Sequence, residues 1–179
     1  MAEDVGEIDQ VIDQFLDFAR DESAEATEPE GDLNAIVTQV CERYQRRGRT
    51  IAARLATLPP VALKPLAMLR LITNLIDNAL RYGVAQVEIV TRAEHAAIIL
   101  SVLDRGPGIP ERETARMLQP FTRLDPSRAG GSGSGLGLAI VERIAQLHGG
   151  RIELLRREGG GLEARVSLPL AGNAASSRR

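Results

Sequence analysis

Residues 128–140, RAGGSGSGLGLAI, form a glycine-rich stretch that runs directly into an apolar pattern with helical period. That pattern predicts a helix over residues 137–147, ended by Gly149 and Gly150. The positions that set the period are Leu138, Ile140, Val141, Ile144 and Leu147. A loop of this kind leaves backbone N–H groups free at the positive end of the helix dipole, an arrangement that binds phosphate groups. A flexible linker would not run into a periodic apolar helix, so the sequence predicts a phosphate site.

The glycine spacing excludes two familiar phosphate motifs. No Lys followed by Ser or Thr comes at the distance that a P-loop requires, and GxGxxG is not matched. The kind of nucleotide site must therefore be inferred from the rest of the chain.

A long helix from Pro65 to about Tyr82 carries a polar face. Its apolar side is predicted to hold Leu69, Ile72, Ile76 and Ala79. The opposite side is predicted to hold Asn74, Asn78 and Arg81. Amide oxygens can ligate Mg²⁺ and a guanidinium can bind phosphate, so this face is a candidate metal and phosphate site. A solvated polar face is the alternative when the helix is considered alone.

Asp104 follows an apolar run that predicts a buried strand, and the turn DRGPGI (104–109) comes next. A carboxylate at this point can accept a hydrogen bond from the 6-amino group of adenine. Guanine has a carbonyl there, and leaving one buried polar partner unpaired costs about 1–3 kcal/mol. Asp104 would therefore favour adenine, although a simple Asp-Gly turn is the other interpretation.

The remaining pattern predicts an α/β fold. A helix capped by Asp32 and ended by Gly48 comes first. Strands are predicted at residues 50–58, 61–63, 86–92, 96–104, 151–157 and 162–168, and one helical turn near 112–118. His95 is predicted in a turn, and EGGG (158–161) indicates a hairpin. We therefore expect a two-layer α/β sandwich, with one mixed sheet covered by helices on one face.

Composition excludes several classes of protein. The net charge of −2 disfavours nucleic acid as a partner. The single cysteine, Cys41, cannot form an internal disulfide, and two histidines, His95 and His148, are too few for a His/Cys metal cluster. The longest apolar run, residues 96–103, is too short to span a bilayer. Aromatic residues make up only 3% of the chain, so the core must be aliphatic.

The ends of the chain differ from its centre. Residues 5–19 place apolar side chains at spacings of three and four, as in a short coiled-coil seam or an ordinary amphipathic helix. We predict a helical segment at residues 1–20, a linker at 21–31, one domain at 32–170 and a disordered tail at 171–179.

These motifs together resemble the catalytic, ATP-binding domain of sensor histidine kinases, within the superfamily that includes the gyrase, Hsp90 and MutL ATPases. NLIDNALRY (74–82) resembles the N box, DRGPGI (104–109) the G1 box and GSGLGLAIV (133–141) the G2 box. PFTRLD (120–125) is similar to the F box. The pattern is most similar to osmosensor kinases of the EnvZ type, and residues 1–20 resemble the end of a dimerisation and phosphoacceptor helix.

The resemblance implies a role for each matching residue. Asn78 would hold Mg²⁺ with support from Asn74, and Asp104 would bind the adenine amine. Residues 111–134 would form a mobile lid over ATP. The expected ATP-site residues are Asn74, Asn78, Arg81, Tyr82, Asp104, Gly106, Gly108, Ile109, Phe121, Arg123, Gly133, Ser134, Gly135, Leu136, Gly137 and Leu138.

The resemblance also implies the reaction. Hydrolytic members of the superfamily have a glutamate base where this chain has Asn74, and an amide cannot act as that base. We therefore expect transfer of the γ-phosphoryl group to a histidine on a dimerisation domain, for relay to a response-regulator aspartate. His148 is interpreted as a partner of a helix dipole. With no H-box histidine, this chain is expected to bind Mg-ATP without phosphorylating itself.

The expected setting is the cytoplasmic part of a homodimeric kinase in the bacterial inner membrane. Two alternatives stay open. One is a hydrolytic ATPase like gyrase or MutL, and the other is a non-catalytic regulatory module that keeps the fold.

Overall fold

A computed structural model of the protein describes residues 25–83, 86–123 and 134–170. The helices are α1 (Leu33–Gln45), α2 (Pro65–Tyr82), α3 (Thr114–Met117) and α4 (Gly137–Leu147). The strands are β1 (Glu28–Gly31), β2 (Ile51–Leu55), β3 (Val61–Leu63), β4 (Val87–Glu94), β5 (Ala97–Leu103), β6 (Arg151–Arg156) and β7 (Leu162–Pro169). The predictions for residues 1–24, residues 171–179 and Gly133 lie outside the described residues.

Five strands form one mixed sheet in the order β2-β4-β5-β7-β6. β2 pairs with β4 in parallel, and the other neighbours are antiparallel. Burial alternates strictly along β7, whose residues on one face are buried and on the other are partly exposed. Helices α1, α2 and α4 pack on the covered side. The predicted two-layer α/β sandwich is confirmed.

Helix α2 is the centre of the helical layer, and its bounds agree with the prediction. Its buried face differs slightly, because Leu69 is only partly buried. The residues that enter the core are Ala67, Met68, Leu71, Ile72, Leu75, Ile76 and Ala79. This wider apolar face contacts both the sheet and α4, which the sequence pattern of one helix cannot show. No helix within the described ranges combines the length and apolar content needed to cross a bilayer.

Part of the predicted linker is folded. Residues 28–31 form β1, which pairs antiparallel with β3 and makes a second, two-stranded sheet. Just before it, the carboxylate of Glu25 accepts hydrogen bonds from the backbone N–H groups of Leu66 and Ala67, at 2.7 and 3.0 Å. Glu25 therefore caps the first turn of α2 across the sequence. The linker prediction is wrong here because backbone pairing and a distant cap leave no mark on local composition.

His148 ends α4, as expected, but it is not a charged partner of the helix dipole. Its Nδ1 lies 2.7 Å from the carbonyl oxygen of Ile144, and its Nε2 accepts from the backbone N–H of Lys64 at 3.0 Å. Burial lowers the pKa of this imidazole, so its neutral form is favoured. The ring thus joins the end of α4 to the start of α2.

Two smaller predictions are also resolved. β2 stops at Leu55 rather than at residue 58, since two prolines follow at 59 and 60. His95 lies between β4 and β5 with a φ of 48°, which confirms the predicted turn.

Candidate functional site

A polar cleft lies between α2 and the segment that begins α4. Its lining residues are Asn74, Asp77, Asn78, Arg81, Tyr82, Met117, Thr122, Gly135, Gly137 and Leu138. Seven of these were predicted from the sequence, and the N-box helix and the glycine loop therefore meet in space as the motifs imply. Asp77, Met117 and Thr122 were not predicted.

Asn74 connects the two walls of this cleft. Its Nδ2 donates to the carbonyl oxygen of Arg70 at 2.9 Å within α2. A Cβ placed on Gly137 would lie 3.3 Å from Asn74 Oδ1, tighter than an ordinary contact. Glycine at 137 therefore lets the first turn of α4 approach the polar face of α2.

The first two residues of α4, Gly137 and Leu138, line the cleft. Its capping residue, Leu136, is fully buried and offers no side-chain acceptor to that turn. Ser134 Oγ accepts from the N–H of Leu136 itself, at 3.2 Å. An uncapped helix start of this kind is an anion site, because its first amides have no partner within the helix. The phosphate site at the glycine loop stays a prediction.

The near side of the glycine loop is joined to Phe121. The N–H of Phe121 donates to the carbonyl oxygen of Gly135 at 3.0 Å. Both residues have positive φ, 62° and 72°, and a Cβ on Gly135 would overlap the backbone of Phe121. The Phe121 side chain is 65% exposed. The carbonyl of Arg123 accepts from Arg116 at 3.2 Å.

Asp104 lies next to the C-terminal end of α2 and is 4% exposed. Its Oδ1 accepts from the N–H of Gly106 at 2.6 Å and from that of Leu162 at 3.4 Å. Within the described residues Oδ2 accepts no hydrogen bond, so that oxygen is available to a ligand. The backbone of α2 is close by: a Cβ on Gly106 would overlap the carbonyl oxygen of Tyr82, and one on Gly83 would lie 3.1 Å from Asp104 Cβ.

The predicted residues thus fall into two groups. Those of α2 and the start of α4 line the cleft, while a second group does not line it. The second group is Asp104, Gly106, Gly108, Ile109, Phe121, Arg123, Ser134 and Leu136. Tyr82 connects the groups, since its side chain lines the cleft and its carbonyl adjoins Gly106. Leu136 is fully buried in the core.

Asp77 is a cleft residue that the motif analysis missed. Its Oδ1 accepts from the hydroxyl of Tyr44 at 2.5 Å, and that hydroxyl also lies 3.4 Å from the carbonyl oxygen of Thr73. Burial and the Asp77 carboxylate raise the pKa of Tyr44, so the phenol stays protonated and donates. The position of Asp77, between Asn74 and Asn78 on the polar side of α2, was the signal that could have found it.

The chemistry of the cleft suits a phosphate ligand that brings its own oxygen atoms to a metal. In the part of the chain that the structure describes, no group of three His, Cys, Asp or Glu side chains could hold a metal ion. The cleft does provide the Asn78 amide, the Asp77 carboxylate and the Arg81 guanidinium. Mg²⁺ commonly takes one or two protein oxygens and completes its shell with phosphate and water, so these residues fit it.

Comparisons with known proteins show the family of the chain. The profile of the family described as histidine kinase-, DNA gyrase B- and HSP90-like ATPases matches residues 64–172, more than half of the chain. Sensor histidine kinase component HK1 of Mycobacterium tuberculosis is 35% identical over 137 residues, with 76% of this chain and 81% of that protein covered. Sensor histidine kinase GtrS of Pseudomonas aeruginosa is 37% identical over 94% of this chain, which spans only 35% of GtrS.

Solved structures show the same fold. The kinase domain of the Escherichia coli osmosensor EnvZ, solved by NMR, is 35% identical, with a TM-score of 0.64 and coverage of 87% of this chain and 96% of that one. Full-length ShkA in complex with AMPPNP has a TM-score of 0.75 and 27% identity, with coverage of 90% and 35%. The chain belongs to the histidine kinase-, DNA gyrase B- and HSP90-like ATPase family and is an ATP-binding domain of the sensor histidine kinase type.

Proposed function

We propose that this chain binds Mg-ATP and donates the γ-phosphoryl group to a histidine on a dimerisation domain, for relay to an aspartate of a response regulator. One observation carries the proposal: the polar face of α2 lies across a cleft from the uncapped start of α4, with buried Asp104 beyond the end of α2. The ShkA complex with AMPPNP supports ATP as the ligand, since AMPPNP is an ATP analogue.

Base recognition would depend on Asp104. Its Oδ1 is held by two backbone N–H groups, which leaves Oδ2 to accept from the 6-amino group of adenine. Guanine would bring a carbonyl oxygen against the carboxylate, so two acceptors would face each other. Gly106, Gly108 and Ile109 would lie beside the base.

Phosphate binding would depend on α2 and α4. The backbone N–H groups of Gly137 and Leu138 would donate to phosphate oxygens, and Arg81 would neutralise their charge. Asn78 would hold Mg²⁺, which neutralises charge on the transferred group when it is bound. The protein would act here by orienting the phosphates and stabilising their charge.

Transfer is favoured over hydrolysis by the contacts of the cleft. Asn74 cannot accept a proton as a base, and its Nδ2 donates to the carbonyl oxygen of Arg70. Asp77 is the only carboxylate among the described residues that line the cleft. Its Oδ1 already accepts a hydrogen bond from the hydroxyl of Tyr44. Asp77 nevertheless supports a second candidate, a hydrolytic ATPase, which steady-state hydrolysis lost in Asp77→Asn would favour.

The acceptor would be a histidine other than the two of this chain. The ring of His148 is engaged at both nitrogens, by Ile144 and Lys64. His95 lies in the β4–β5 turn, outside the cleft. The partners we propose are the dimerisation and phosphoacceptor domain of the same kinase and a response regulator. The parent would be a homodimer in the inner membrane, with this domain on the cytoplasmic side.

Binding and transfer test the proposal. Calorimetric titration should show ATP binding that Mg²⁺ strengthens. Asp104→Asn should weaken it about tenfold or more, because a hydrogen bond to a charged group is lost. Asp32→Asn, which alters the cap of α1, is the matched control and should leave affinity unchanged.

Radiolabelled ATP then tests the reaction. Label should appear on an added phosphoacceptor domain and not on this chain alone. Stable label on the isolated chain, or no ATP binding at millimolar concentration, would contradict the proposal.

A further inference from the structure

The turn between β6 and β7 lies directly against the backbone of Asp104. The sequence EGGG indicated only a hairpin, yet Gly159, Gly160 and Gly161 all have positive φ, from 75° to 107°. A Cβ on Gly161 would overlap the carbonyl oxygen of Asp104, whereas one on Gly160 would meet open space. A Cβ on Gly108 would lie 3.0 Å from the carbonyl oxygen of Gly161. The turn therefore fits tightly against both ends of the DRGPG segment.

Arg157 joins this turn to Asp104 and to the sheet. Its Nη1 donates to the backbone carbonyl of Asp104 at 3.2 Å, and its Nη2 forms an ion pair with Glu88 Oε1. The Arg157 side chain is only 10% exposed. Glu88 lies on β4, opposite Leu103, the residue that precedes Asp104. The Arg157 guanidinium thus contacts both the Asp104 backbone, which follows β5, and Glu88 on the neighbouring strand β4.

The DRGPG segment in turn donates hydrogen bonds to the β6–β7 hairpin. Arg105 Nη1 donates to the carbonyl oxygens of Glu158 and Gly160 at 2.8 and 3.2 Å. Asp104 also donates its N–H to the carbonyl oxygen of Leu162 at 3.0 Å, while its carboxylate accepts from the N–H of Leu162. The position of the carboxylate is therefore set by the β6–β7 hairpin as well as by β5.

We propose that Arg157, held by Glu88, is a positioning residue that sets adenine selectivity through Asp104 from outside the cleft. This inference rests on the proposed function, because it assigns Asp104 to the adenine amine. Hydrogen bonds weaken steeply with distance and angle, so a small movement of the Asp104 backbone changes how well Oδ2 meets an amine. A purely structural ion pair would affect folding without changing the choice of base.

The test compares ATP with purine riboside 5′-triphosphate, which lacks only the 6-amino group. In the 179-residue chain, Arg157→Gln should weaken ATP binding about tenfold and change analogue binding less than about twofold. The preference for ATP over the analogue should therefore collapse. Glu88→Gln should act in the same direction. The control is Arg54→Gln, because Arg54 pairs with the other Glu88 oxygen but is 69% exposed and makes no contact with Asp104. It should keep the preference.

Each outcome decides the proposal. Equal loss for both nucleotides in Arg157→Gln would overturn it, since the pair would then support only the fold. If Arg157→Gln does not fold, as judged by circular dichroism, an unchanged preference in Glu88→Gln would overturn it and a reduced one would support it. Wild-type protein that binds ATP and the analogue equally would overturn the positioning role while ATP binding stands. Wild-type protein that binds neither would refute the proposed function as well.

Discussion

The two ends of the candidate nucleotide site are built differently. At the base end, Asp104 is buried and tied to Gly106, Leu162 and Arg157 by hydrogen bonds. At the phosphate end, Asn78 is half-buried and Arg81 is exposed, and no hydrogen bond between described residues fixes either side chain. Both ends of the site adjoin the same helix, α2.

The two ends would therefore contribute differently to binding. The base end would select the nucleotide base, and the phosphate end would hold the phosphates. A carboxylate that is fixed before the ligand arrives loses little entropy on binding, so under the proposed function base choice would be a property of the folded chain. The phosphate-binding side chains would become ordered only with phosphate and metal present. Changes at the base end should therefore reduce both stability and binding, whereas changes at the phosphate end should reduce binding alone.

The largest effect is expected from Gly161→Ala. Its new methyl group would overlap the Asp104 carbonyl, and we expect a loss of about 3 kcal/mol in the free energy of unfolding. Gly160→Ala is the control, because it carries a similar positive-φ strain with no clash and should cost only about 1–2 kcal/mol. Denaturant titration measures both. Equal losses for the two variants would show that the turn is not packed against Asp104.

A smaller effect is expected from Asn78→Ala at the phosphate end. Removing the amide should abolish most of the Mg²⁺-dependent gain in ATP affinity, while adenosine binding stays the same. Stability should rise by about 0.5 kcal/mol, because alanine favours a helix more than asparagine does. Calorimetry with and without Mg²⁺ checks the loss of affinity, and denaturant titration checks the gain in stability. Loss of stability in this variant would break the comparison, since it would give Asn78 a role in the fold.

The smallest effect is expected from a change of pH. It would act at His148, where the end of α4 meets the start of α2. The pKa of His148 is lowered chiefly by burial, with Lys64 lowering it further and the Ile144 carbonyl and Glu25 opposing the change. As pH falls below about 6.5, His148 binds a proton in the unfolded chain but stays neutral in the folded one. The free energy of unfolding therefore decreases. We expect this loss to be the smallest of the three effects.

His148→Gln is the matched variant for this pH effect. It should flatten the pH dependence of unfolding near neutral pH, and the preference for ATP over purine riboside triphosphate should not change with pH in either protein. A wild-type stability that rises on acidification through this range would contradict the neutral histidine.

The sequence was most informative where chemistry depends on residue type. Asn74, Asn78 and Arg81 could be placed on one face by helical period, and the structure brings them to the cleft with Gly135 and Gly137. Asp77 lies on the same polar side and could have been found in this way, whereas its hydrogen bond with Tyr44, 33 residues away in α1, could not.

Long-range contacts account for the other differences. Glu25 caps α2 from 41 residues away, and β1 pairs with β3 through backbone groups that every residue has. The hairpin at 158–161 was predicted, but its fit against Asp104 depends on the register of β5 with β7, which local pattern does not encode.

The placement of the tyrosines has an optical consequence. The chain has no tryptophan and only two tyrosines, so its intrinsic ultraviolet emission comes from Tyr44 and Tyr82. Tyr82 lines the cleft. The hydroxyl of Tyr44 donates a hydrogen bond to Asp77, which also lines the cleft. Ligand binding in the cleft should therefore change the tyrosine fluorescence, which would follow occupancy without an added dye.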